Sequence, residues 1–159
     1  YFFARQQKRR EWNAIVCMDQ SGSMAESVIY ASVMGSIFAS MPALESHVIA
    51  FVTYCQRLIH TPRKTLFILI TDLFEGGNAT ELLHRLAAMV ESGVRCLCLL
   101  ALSDSGVPVY DRSRARDIRN LSIPCFACTP NVLPELLEAT ILGQDPETLE
   151  TRFASQYRR

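Results

Sequence analysis

Short, uninterrupted apolar runs alternate along this chain with longer amphipathic stretches, and few folds accept that alternation. Residues 14–18, 48–52, 66–71, 96–102 and 124–127 read as strands. Residues 24–41, 78–92, 111–120 and 132–142 read as helices, with a shorter one near 54–60. Strands with no polar alternation bury both faces, and strands separated by helices pair in parallel. The expected class is therefore α/β, a doubly wound, mainly parallel sheet with helices on both faces. Gly93 and Gly143 stand where the second and last long helices should stop, and Pro134 suits a first helical turn. One crossover looks compressed: fourteen residues lie between Phe51 and Leu66, close to the minimum of about a dozen for joining parallel strands.

A chain of 159 residues is long enough for one such domain. The expected organisation is a basic N-terminal extension over 1–11, the domain over 12–143, and a helix or tail over 144–159. The longest unbroken apolar run, Cys96 to Leu102, has seven residues, against ~18 for a membrane-spanning helix. No signal peptide opens the sequence, and Tyr1 in place of Met suggests a fragment or trimmed chain. Six cysteines could make three disulfides, but Cys17, Cys96 and Cys98 sit inside strongly apolar runs. Buried thiols in a reducing cytoplasm fit better. Cys125 and Cys128 have zinc-like spacing without the second pair that a structural zinc site needs.

The formal net charge of zero conceals a division. Arg5, Lys8, Arg9 and Arg10 open the chain, and Arg152, Arg158 and Arg159 close it. Residues 11–150 hold all sixteen acids and nine bases, a formal charge of −7. Phosphate affinity comes mainly from clustered cations, so no nucleic-acid partner is expected. A bound cation is compatible with such a body.

In open α/β sheets, ligands bind beyond the carboxyl ends of the strands. Asp19 follows the first strand, Thr71-Asp72 the third, and Ser103-Asp104 the fourth, so acids gather at one rim. The first loop, Asp19-Gln20-Ser21-Gly22-Ser23-Met24, runs straight into a long apolar helix. As a plain turn it needs only Ser23 as helix cap and Gly22 for backbone freedom. As a site, it offers a carboxylate and two hydroxyls at alternate positions beside a helix N-terminus, with Asp72 arriving from a neighbouring strand. Oxygen-only donors suit Mg²⁺, Mn²⁺ or Ca²⁺. A cation held by two neutral hydroxyls and one or two carboxylates keeps positive charge and attracts a carboxylate from outside. Nuclease and phosphatase sites instead collect more carboxylates and a proton-transfer group.

Asp19-x-Ser21-x-Ser23 after an apolar strand, followed by Leu69-Ile70-Thr71-Asp72, resembles the metal-ion-dependent adhesion site (MIDAS) of von Willebrand factor A (VWA) domains. The resemblance spans about residues 12–143 and implies the Rossmann-like VWA fold. The segments 18–24, 72–77, 101–104 and 125–130 look like bacterial CoxE-like VWA proteins, intracellular proteins associated with MoxR-type AAA+ ATPases in maturation or remodelling of targets. The resemblance implies that Asp19, Ser21, Ser23 and Asp72 bind the metal, the serines directly and one or both aspartates through water. It also implies a threonine from a loop between the second and third strands, usually preceded by glycines. Here only Thr53, Thr61 and Thr65 are available and no glycine occurs between Gly35 and Gly76. Thr53 is the default fifth ligand.

Gln20, Glu75 and Asp104 complete the expected partner-binding rim. Asp104 also reads as a cap for the loop it begins, and Glu75-Gly76-Gly77 as a simple turn. Arg112, Arg116 and Arg119 share a helical face that a solvated surface explains. His47, His60 and His84 lie in separate segments, and no nucleophilic arrangement emerges. The leading expectation is a non-enzymatic, metal-dependent module that recruits an Asp or Glu of a protein partner. The alternative is a Mg²⁺-dependent phosphoacceptor or phosphatase-like domain using Asp19 and Asp72, although the only lysines are Lys8 and Lys64. A VWA-shaped scaffold with an inactive metal site is the third.

Overall fold

The computed structural model describes residues 11–19, 21–41, 44–49, 55–74 and 78–154, with only the backbone considered over 44–49. Five strands, β1 (Trp12–Met18), β2 (Leu44–Ile49), β3 (Thr65–Thr71), β4 (Arg95–Leu100) and β5 (Cys125–Phe126), form one sheet. All four pairings are parallel, in the order β2-β1-β3-β4-β5.

Successive strand residues point to opposite faces, so each apolar strand feeds two cores. On one face Val16, Leu66, Ile68 and Ile70 meet α1 (Val28–Ser40), α4 (Leu133–Ile141) and α5 (Pro146–Ala154) through Met34, Phe38, Leu136 and Phe153. On the other, Ile15, Cys17, Phe67 and Leu69 meet α2 (Ala79–Glu91) and α3 (Arg112–Asn120) through Leu86, Met89, Ala115 and Ile118. The expected α/β class with helices on both faces is what the chain adopts. Gly35 lets α1 lie close on β1, because a Cβ there would stand 3.3 Å from Met18 Sδ.

The Asn78 side chain caps α2 by accepting the Glu81 amide at 3.1 Å. The Asp111 carboxylate caps α3 by accepting the amides of Ser113 at 2.9 Å and Arg114 at 3.2 Å. The Arg114 amide, then the Ser113 hydroxyl, hold the Asp111 carboxyl below the usual carboxylate range. Gly93 (φ 96°) and Gly143 (φ 70°) end their helices in the left-handed conformation that glycine adopts without steric cost.

Some boundaries move. The second strand begins at Leu44 rather than at 48, its register against β1 running from Trp12↔Leu44 to Cys17↔Ile49, and residues 50–52 of the expected strand lie outside the described residues. The helix expected from residue 24 opens as a 3-10 turn over Gly22–Ser27 before α1. The stretch near 54–60 is a 3-10 turn over Gln56–Leu58, followed by another over Pro62–Lys64.

All six cysteines are buried and unbridged. Cys125 and Cys128 pack in the cores on opposite faces of the sheet and cannot share a zinc ion. The Cys17 thiol hydrogen-bonds with Cys55, and that bond, with burial, raises its pKa. Burial alone pushes the Cys96 thiol up to about 12.

Candidate metal centre

From β1 the chain turns toward the β2 side of the sheet, and from β3 toward the β4 side. The crevice between the carboxyl ends of β1 and β3 is therefore the topological switch point of a 2-1-3-4-5 sheet, where such folds bind ligands. Asp19 leaves β1 there with its amide on the Ile70 carbonyl at 2.9 Å, one step beyond the last β1–β3 pair. Asp72 leaves β3 at the same crevice, only 2% exposed.

Both Asp19 oxygens are engaged. Oδ1 accepts the Ser21 amide at 2.9 Å, and Oδ2 accepts the Thr71 hydroxyl at 2.6 Å. Thr71 Oγ1 in turn accepts the Leu73 amide at 3.0 Å. One buried hydroxyl thus ties the Asp19 loop to the turn that follows β3. Asp72 Oδ1 accepts the Phe74 amide at 3.0 Å, and its carbonyl accepts the Asp111 amide at 2.9 Å. Between them Leu73 is buried with φ 62°, a conformation that costs a leucine energy and persists only where its surroundings enforce it. Arg114 braces this turn together with the Thr71 and Asp72 side chains: its Nη1 donates to the Leu73 carbonyl at 3.0 Å while Nε lies 3.7 Å from Asp111 Oδ2. Neither Thr71 nor Arg114 is among the site residues expected from the sequence. Thr71 was visible as a polar residue ending an apolar strand beside Asp72, but nothing local to residue 114 pointed there.

The serines take different parts from those of a plain cap. Ser21, not Ser23, precedes the 3-10 turn, and its side chain makes no capping bond. Its Oγ shares a 3.0 Å hydrogen bond with Ser23 Oγ. Adjacent oxygen ligands on an octahedral Mg²⁺, each bonded at about 2.1 Å, also stand about 3.0 Å apart. Among the described residues no group of three or more His, Cys, Asp or Glu side chains could hold a metal. A cation at this crevice would rest on Ser21 and Ser23 as much as on Asp19 and Asp72, and the oxygen-only set fits a hard divalent ion.

Asp104 lies on the same rim beyond β4, exposed, but it does not cap its loop. Ser103 does, because its hydroxyl at the first position of the turn accepts the Val107 amide at 3.2 Å while its carbonyl accepts the Gly106 amide at 2.7 Å. Thr53, Gln20 and Glu75 lie outside the described residues.

Thr71→Val keeps the shape of a side chain that is 4% exposed and removes its hydroxyl. We expect a loss of about 1–3 kcal/mol in urea unfolding, the usual cost of leaving a buried polar partner unsatisfied.

A family model described as "VWA domain containing CoxE-like protein" matches residues 1–55 and 52–137. Its two pieces meet at 52–55, inside the connection that the sequence marks as short. Among curated proteins, "Uncharacterized protein YehP" of Escherichia coli (strain K12) is 30% identical over 159 residues, covering 80% of this chain and 42% of that protein. The chain thus spans less than half the length of that relative. No solved structure matches.

Proposed function

The chain belongs to the CoxE-like VWA family, and from that premise we propose a metal-dependent protein-interaction module. Asp19, Ser21, Ser23 and Asp72 hold Mg²⁺, or Mn²⁺ or Ca²⁺ in its place, and the cation recruits an Asp or Glu of a protein partner. The observation that carries this reading is the 3.0 Å separation of the Ser21 and Ser23 hydroxyls beside Asp19, at the switch point where Asp72 also emerges. Two neutral donors leave the cation with the charge that attracts a partner's carboxylate. Thr71 fixes the Asp19 carboxylate, and Arg114 fixes the turn behind Asp72. The CoxE-like resemblance supports a cytoplasmic setting and a MoxR-type AAA+ ATPase as co-worker in maturation or remodelling of target proteins. Among the described residues no helix is long and apolar enough to cross a membrane.

A phosphoacceptor site needs a cation near the acids to balance phosphate charge. Lys64 stands at the other end of the sheet, just before β3, its ammonium 5.7 Å from the Trp12 ring centre. That position, with Arg114 beside the Asp72 turn already engaged by the Leu73 carbonyl and Asp111, disfavours the enzymatic alternative. Titration calorimetry with MgCl₂ and MnCl₂ tests the proposal. We expect one saturable site per chain, weakened by Ser21→Ala and by Ser23→Ala. Absence of heat or saturation with either salt overturns it.

A further inference from the structure

The helix that follows the Asp19 loop faces solvent with a surface that solvent does not favour. No Asp, Glu, Lys or Arg occurs between Glu26 and Glu45. Along α1, Val28, Ile29 and Val33 are 56%, 63% and 42% exposed. An exposed helix face ordinarily carries charge, and an apolar one marks a contact surface. The serines among these residues do not make it polar: Ser32 and Ser36 donate their hydroxyls to the carbonyls of Val28 at 2.7 Å and Ser32 at 2.8 Å.

Two clefts divide this face. One, of about 260 Å³, is walled by Met18, Met24, Val28 and Ala31 and ends in Asp19 and Ser21. The other, of about 400 Å³, runs beside Val33 and Ile37. Ser32 lines both, so they form one strip from the candidate metal residues along α1. With α1 at about 1.5 Å per residue, the strip is roughly 20 Å long.

We propose that this strip docks a segment of a partner protein that carries a single carboxylate followed, on one side only, by apolar residues. The inference rests on the metal-dependent reading above and specifies its partner. Charge complementarity sets the pattern. At the Asp19 end a bound cation accepts one carboxylate. Among the described residues lining the strip there is no cation for a second acid and, beyond Asp19, no anion for a Lys or Arg. The surrounding body, at −7 over residues 11–150, repels a run of acids. The cleft of about 260 Å³ between Met18, Met24 and Val28 has room for one side chain of Leu or Met size, and a single anchor in a pocket can supply much of an interface's affinity.

Selection from a random library of peptides of about twelve residues, the helical length that matches α1, tests the proposal in MgCl₂ against the whole chain. We expect a consensus of one Asp or Glu with two or more apolar residues on a single side, released by EDTA. Val28→Ser and Val33→Asp replace exposed side chains, the first without adding charge beside Asp19, so the fold should survive, as melting checks. Each should weaken the selected peptide by about tenfold while leaving Mg²⁺ binding by calorimetry unchanged. A consensus of several acids, a basic consensus, no enrichment, or affinity indifferent to both variants overturns the inference. So does a concentration-dependent dimer in sedimentation that Val33→Asp abolishes, since a second copy then covers the strip. If calorimetry finds no Mg²⁺ binding, the metal-dependent reading fails first, and the two failures are distinguished on the same sample.

Discussion

Replacing Asp19 with alanine is expected to abolish the rise in melting temperature that Mg²⁺ produces in the native chain. A ligand that binds only the folded state, present at about a hundred times its Kd, stabilises by about 2.7 kcal/mol. For a domain of this size each kcal/mol moves the Tm by roughly 2–4 °C, so the native chain should gain roughly 5–10 °C. The substitution also frees the Thr71 hydroxyl and the Ser21 amide, both now satisfied by Asp19. The metal-free Tm should therefore fall as well. Melting each protein in EDTA and in MgCl₂ separates the two effects, and Asp104→Ala, on the same rim but two strands away, should keep the full metal-dependent rise. A full rise in the Asp19→Ala protein would remove this residue from the site.

The second large effect lies in the sheet. Phe67 is fully buried at the centre of β3, in register with Ile15 on β1 and Cys96 on β4. Phe67→Ala leaves a cavity that strands on both sides prevent from collapsing, and we expect a loss of roughly 3–5 kcal/mol. Against a total stability of about 5–15 kcal/mol, that is a large fraction. Urea unfolding followed by circular dichroism should show a lower midpoint with an unchanged slope. A loss below about 1 kcal/mol would contradict the packing of Phe67 between β3 and the helices α2 and α3.

Much of this architecture was legible because burial on both faces leaves strands such as Leu66 to Ile70 no polar position. The edge strand obeys no such rule. β2 reads Leu-Glu-Ser-His-Val-Ile, and its register is set by pairing with β1 rather than by apolar content. The stronger apolar run over 48–52 puts the expected start of the strand four residues past Leu44. The short 3-10 turns escaped for a related reason, since their few residues make too little of a helical period to read. At the candidate site, Asp19, Ser21, Ser23 and Asp72 could be named from strand ends and loop spacing. The groups that hold them could not. Arg114 reaches Leu73 across 41 residues of sequence, and the positive φ of Leu73 has no signature in a leucine.

The order of the sheet also bears on kinetics. β1 lies inside the sheet between β2 and β3, yet its bond to β3, like the Thr71–Asp19 hydrogen bond, closes a loop of 52 residues. Such non-local pairing is reached late, after the local helices and turns have formed, because its closure entropy must be met first. A crevice made from the ends of these two strands does not exist in partly folded chains. A cation bound there stabilises only the finished sheet, so its effect falls on the unfolding rate and leaves the folding rate nearly unchanged. The ion would act as a brake on opening, extending the lifetime of the assembled domain without hastening its birth.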